Sequence, residues 1–253
     1  MCYDYTSKNM SLFSINFTEF DHVFCEASIY NNGSEYMNSA TALFISFVGM
    51  FGLSYNSYQS INLDMLYCSL IINGITSSIY HHTHFIGWGL LDRCSMIYIS
   101  TYCYNIFLEL LIARKSIFSH VLQLTLIVYL TYLSAITGLH NETLFNNLFG
   151  FFLCNILIFL ILCRIKYPNI PKKIFNYGIK GTLYITVAGI SWIITENLCD
   201  KYFVMKYLYG HSLWHVAVSL GGYYISLIPI YMYKNNGSNN IKLEYKYNIP
   251  YMS

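Results

Sequence analysis

Residues 208–233 read LYGHSLWHVAVSLGGYYISLIPIYMY. No Asp, Glu, Lys or Arg interrupts the run, and a helix needs about 20 mostly apolar residues to cross the hydrocarbon of a bilayer. The stretch therefore predicts a membrane-spanning helix that opens on two histidines. Six similar segments precede it, at roughly 39–55, 61–80, 89–110, 117–137, 143–163 and 174–195. The expected fold is an all-α polytopic membrane protein, a seven-transmembrane-helix bundle over residues 39–233. Composition agrees. The chain is 55% hydrophobic and 10% charged, with a mean hydropathy of +0.42, whereas a soluble domain carries about 25% charged residues. A net charge of +2 is too small to suggest a nucleic-acid partner. Residues 1–38 read as an N-terminal segment without an evident cleavable signal peptide. The polar, Asn-rich tail over 234–253 is expected to be mobile.

Charge sets the orientation. With seven spans, the loops near 111–116 and 164–173 share a side with the tail, and these carry Arg114, Lys115, Arg164, Lys166, Lys172, Lys173, Lys234, Lys242 and Lys246. The opposite side holds Asp4, Glu19, Asp21, Glu26, Glu35, Glu142, Glu196 and Asp200. The positive-inside rule places the N-terminus in the lumen and the C-terminus in the cytosol. The glycosylation sequons at Asn16 and Asn141 fall on the lumenal side. An integral protein of the endoplasmic reticulum or Golgi is expected.

This topology gathers the polar residues of the spans. Ser77 and His81 end the second span, Asp92 begins the third, and His211 and His215 begin the seventh. All five then lie at one depth near the lumenal face. Taken singly, each has an ordinary reading: an interfacial histidine, a packing serine, an aspartate that caps a helix. Taken together they suggest function, because ionisable groups inside a membrane are costly. His211 and His215 stand four apart, on one helical face, the spacing that offers two nitrogens to one metal ion. Three imidazoles leave a fourth position open on tetrahedral zinc, as in catalytic rather than structural sites. Zinc brings the pKa of a bound water to about 7. Asp92 is the candidate proton carrier, and Ser77 can donate a hydrogen bond to a developing oxyanion. The set suits hydrolysis of an amide or ester that arrives from the bilayer. His22, His82, His84, His120 and His140 are expected to be bystanders.

The run Gly74-Ile-Thr-Ser77-Ser-Ile-Tyr-His81, followed by Leu90-Leu-Asp92 and Met96, resembles the alkaline ceramidases. So do Glu196-Asn-Leu-Cys199-Asp200, His211-Ser-Leu-Trp214-His215 with Gly222-Tyr223, and the opening Cys25-Glu26 with Glu35-Tyr-Met-Asn38. The ordered motifs cover about residues 21–230 and mark a superfamily of seven-helix zinc hydrolases that includes the adiponectin and progestin receptors. The sequence departs from the family's pattern at Val23, Thr76, Arg93 and Ser95.

The resemblance implies zinc ligands His81, His211 and His215, with Asp92 and Ser77 as the catalytic pair. It implies a calcium site that uses Glu26 and Glu35, and a disulfide between Cys25 and Cys199. The other cysteines near the spans (Cys68, Cys94, Cys103, Cys154 and Cys163) read as buried thiols. The expected function is zinc-dependent intramembrane hydrolysis of ceramide to sphingosine and a free fatty acid. Two alternatives stand beside it: hydrolysis of another lipid, such as a phospholipid or a GPI-anchor acyl ester, and a non-catalytic receptor-like protein with a structural zinc.

Overall fold

A computed structural model describes residues 24–30, 33–56, 60–112, 142–235, 242–246 and 249–252, with isolated positions between 125 and 132. Six long helices lie in these residues: α1 (Tyr36–Asn56), α2 (Ile61–Thr83), α3 (Ile86–Ile112), α4 (Glu142–Lys166), α5 (Lys172–Leu198) and α6 (Gly210–Asn235). Each matches one of the predicted spans. The span expected over 117–137 lies almost wholly outside the described residues, as do Asn16, Asn141, His22, His120 and His140. The chain is an all-α membrane protein. Residues 36–56, 149–166, 172–198 and 203–234 are long and apolar enough to cross a bilayer. Helices α2 and α3 carry the buried polar groups Asn73, Ser77, His81, Ser95 and Asn105.

The outward faces of α4 and α5 are apolar. Along α5, Ile179, Leu183, Val187, Ile190 and Ile194 are exposed at helical spacing, a face suited to lipid rather than water. Inside, α5 packs most extensively on α6, α1 on α2, and α2 on α3, while α4 packs less closely on its neighbours. Small residues permit the closest crossing. A Cβ built on Gly221 of α6 would stand 2.6 Å from the Gly181 carbonyl oxygen of α5. Two helices meeting backbone to backbone is the usual membrane solution, since lipid supplies no hydrophobic drive for association.

Local chemistry explains the helix ends. The first N–H groups of a helix lack partners of their own. At α1 the Glu26 carboxylate accepts the N–H of Met37 at 2.6 Å and of Asn38 at 2.8 Å. Helix α2 stops at His84, whose left-handed backbone (φ 55°) turns the chain towards α3. Cys25–Ser28 forms a short 3₁₀ turn ahead of α1, and Phe203–Leu208 another ahead of α6.

The tail is ordered in part, contrary to expectation. Leu243–Lys246 (β1) and Ile249–Met252 (β2) pair as an antiparallel ribbon. Ile249 and Met252 are buried. Sequence polarity is a poor guide here because few apolar residues are needed to seat a short ribbon against helices that already offer an apolar surface.

Candidate metal centre and catalytic site

Helix α2 carries His81 in its last turn, and α6 delivers His211 and His215 from its first turns. The three imidazoles are buried, and the ligand nitrogens they offer lie within 4.8 Å of one another. Their ring centroids are 4.7 to 5.1 Å apart. Among the described residues this is the only set of three or more His, Cys, Asp or Glu side chains placed to share an ion.

The outer nitrogens are held by neighbours. His81 Nδ1 lies 2.6 Å from Glu35 Oε2, and both side chains are buried. His215 Nδ1 lies 3.2 Å from Thr41 Oγ1. His211 Nδ1 faces Glu196 Oε1 at 3.9 Å. With Nδ1 engaged on His81 and His215, Nε2 is the nitrogen left to a ligand on each. A histidine that binds metal commonly gives its other N–H to a carboxylate or similar group, which selects the tautomer. The donor chemistry and this outer support therefore fit zinc.

Ser77 and Asp92 open on the same cavity as His211 and His215. Ser77 lies beside the Asp92 carboxylate on the wall of that cavity. Asn73 Nδ2 donates to Asp92 Oδ1 at 2.8 Å and reaches Ser95 Oγ at 2.9 Å, so a buried amide fixes the carboxylate from the side. The five residues expected to share one depth do come together.

Several neighbours of the site have roles that the sequence does not show. Glu35, expected at calcium, has His81 as its closest partner. Asn38 joins the two halves of the site, giving Nδ2 to Glu35 at 3.1 Å and accepting from Ser212 Oγ at 2.7 Å. Phe24 sets its ring edge on His211 at 4.2 Å, and its N–H donates to Glu35 Oε1 at 2.7 Å. His84, expected to be a bystander, is buried with Nδ1 3.6 Å from Glu35 Oε1. Thr41 and Asn38 sit on the α1 face turned to the histidines, a signal that exists only once α1 packs on α6.

Glu26 and Glu35, expected at calcium, are not in a group placed to share an ion among the described residues. All four oxygens of Glu26 and Glu35 already accept hydrogen bonds, from Met37, Asn38, Phe24 and His81. Asp4 and Asp21 lie outside the described residues.

Cys25 and Cys199 are free, buried thiols rather than the bridge that was expected. They are neighbours all the same: burial, and then the adjacent Cys199, push the Cys25 thiol up from its ordinary range. We propose that glutathione disulfide closes the pair, taking up its two electrons and two protons. Peptide mapping without reductant after such treatment is expected to recover one linked Cys25–Cys199 peptide; two alkylatable thiols would refute it. Of the remaining cysteines predicted to be buried, Cys163 is, Cys68, Cys94 and Cys103 are half-buried, and Cys154 is exposed.

Comparison with known proteins bears on this constellation. The pattern of the family described as Ceramidase matches residues 15–253. The chain is also similar to the alkaline ceramidase of Drosophila melanogaster, with 21% identity over 243 residues, covering 90% of this chain and 86% of that protein.

Proposed function

This chain belongs to the ceramidase family, hydrolases acting on amide bonds, and from that premise we propose that it is a zinc-dependent intramembrane amidase that cleaves ceramide to sphingosine and a free fatty acid. The single observation that carries the reading is the buried His81–His211–His215 set, two of whose members line an apolar cavity together with Ser77 and Asp92.

His81, His211 and His215 would hold the zinc, which would supply Lewis acidity towards the amide carbonyl and lower the pKa of a water near it. The chain's own residues do the rest. Asp92, steadied by Asn73 and Ser77, takes the proton from the attacking water and returns it to the departing amine. Water's oxygen joins the carbonyl carbon, the C–N bond breaks, and the products are a carboxylic acid and an amine. Once Asp92 holds that proton, the Ser77 hydroxyl is released to donate a hydrogen bond where charge builds on oxygen. Phe24, Trp192 and Trp214 wall the site and limit bulk water around it.

The surroundings suit a lipid. The cavity is lined mainly by apolar side chains, among them Leu70, Met96, Leu153 and Val218. A second apolar groove lies between α4 and α5, lined by Leu153, Ile156, Ile185, Gly189 and Trp192. Several residues line both, so a chain in the bilayer has a sideways route to the histidines. We place the site at the lumenal face, following the charge asymmetry of the loops.

The test is a panel of lipids given to purified, zinc-loaded protein: ceramide, a phospholipid and a GPI-type acyl ester. Many turnovers on ceramide, lost when zinc is stripped and regained on its return, are expected. Turnover of an ester alone would replace ceramide as the substrate. No turnover of any lipid, with zinc bound, would leave the metal a structural part.

A further inference from the structure

Four aromatic rings, one from each of four helices, line the cavity well along the bundle from the histidines. Tyr67 on α2, Phe107 on α3, Phe159 on α4 and Tyr223 on α6 all line it, and Tyr67, Phe107 and Tyr223 are almost wholly buried. The Tyr67 and Tyr223 ring centroids are 6.4 Å apart, and Phe107 stacks on Phe159 at 5.5 Å. Tyr223 lies twelve residues along α6 from His211, about 18 Å at the rise of an α-helix. The rings thus form a floor far from the reacting end.

Each tyrosine hydroxyl is tied down. Tyr67 Oη meets Ser226 Oγ at 3.0 Å. Tyr223 Oη accepts from Asn56 Nδ2 at 3.2 Å and donates to the Pro250 carbonyl at 2.7 Å. Pro250 belongs to β2. The ribbon is itself clamped to three helices. Tyr251 packs on Tyr55 of α1 at 4.8 Å, and Tyr245 Oη meets Tyr177 Oη of α5 at 2.8 Å. Lys234 of α6 donates to the Met252 carbonyl. Ile249 and Met252 are buried at the far end of the bundle.

We propose that this ring floor, buttressed from beneath by the β1–β2 ribbon, is the stop that sets the longest hydrocarbon chain the cavity accepts. The proposal rests on the lipid-hydrolase reading for the chemical class of the ligand. Its physical basis is simple. Each buried methylene adds about fourfold to affinity until the chain end meets a ring that cannot move, and beyond that point added methylenes are excluded or strained. Tyr223 cannot swing aside while Pro250 holds its hydroxyl, and Tyr67 is held in the same way by Ser226.

The test measures binding of saturated fatty acids of graded length to the full chain after zinc removal, by displacement of a fluorescent fatty acid. Because no hydrolysis is read, the outcome is independent of whether ceramide is the substrate. In the natural protein, affinity is expected to climb with length and then level off. In Tyr223→Ala the levelling point is expected to move to longer chains. Removing residues 241–253 leaves every helix intact and is expected to move the same point in the same direction, which covers the case in which Tyr223→Ala does not fold. Tyr223→Phe keeps the ring and loses the Pro250 bond, and is expected to give a smaller displacement. An unchanged levelling point in Tyr223→Ala or in the truncated chain would overturn the proposal. A moved point in a protein that cleaves no ceramide would defeat the function proposed above and leave the floor standing.

Discussion

His215→Ala is expected to abolish ceramide turnover and to release zinc. His215 is buried, and its ring stands 5.1 Å from that of His81 and 4.7 Å from that of His211. Alanine leaves two imidazoles, and two ligands do not make the three-ligand protein set of a catalytic zinc site. The loss of affinity should exceed the roughly 10–100-fold that removing an outer partner of a ligand costs. Glu35→Gln gauges that lesser effect in the same experiment. Gln keeps an oxygen for the His81 N–H, and zinc affinity is expected to fall by about 10–100-fold with the fold intact. Competition against a coloured zinc chelator measures both variants. A His215→Ala protein that holds zinc as tightly as the natural chain and still cleaves ceramide would remove His215 from the centre.

Asp92→Asn is expected to lower kcat by about 10²–10⁴-fold, the range that general acid–base catalysis supplies, while zinc content stays unchanged. The substitution is nearly isosteric. The Asn amide oxygen can still accept from Asn73 Nδ2, which now stands 2.8 Å from Asp92 Oδ1. Ser77 can reverse its role and accept from the new amide. What is lost is the base: an amide neither takes a proton from water nor returns one to the amine. Single-turnover assays with long-chain ceramide and metal analysis on the same sample check both halves of the claim. Unimpaired turnover would show that Asp92 carries no proton.

Ser77, His81, Asp92, His211 and His215 are legible in the sequence because their signals are local. A spacing of four puts two imidazoles on one helical face whatever the helix packs against. Alternation of the spans then places the end of α2 and the starts of α3 and α6 on one side. Glu35 is legible as a residue but not in its role. It precedes α1 by one position and His81 lies 46 residues further on, so only the packing of α1 on α2 reveals that the carboxylate meets His81 Nδ1. The ordinary reading of an acid ahead of a helix suits Glu26, which caps α1. The order of the tail is hidden because Ile249, Pro250 and Met252 are too few to signal burial in so polar a stretch.

Membrane class, the helices that carry the site and the three histidines that gather there follow from the chain read in order, because hydropathy and helical period act over a few turns and need no partner. Which carboxylate turns each imidazole, how deep the apolar cavity runs and what closes its far end were decided by helices meeting across the bundle. Those contacts join residues far apart in the chain, such as Thr41 and His215, 174 positions from one another. No pattern along the chain encodes such a contact, because it exists only after α1 has packed on α6.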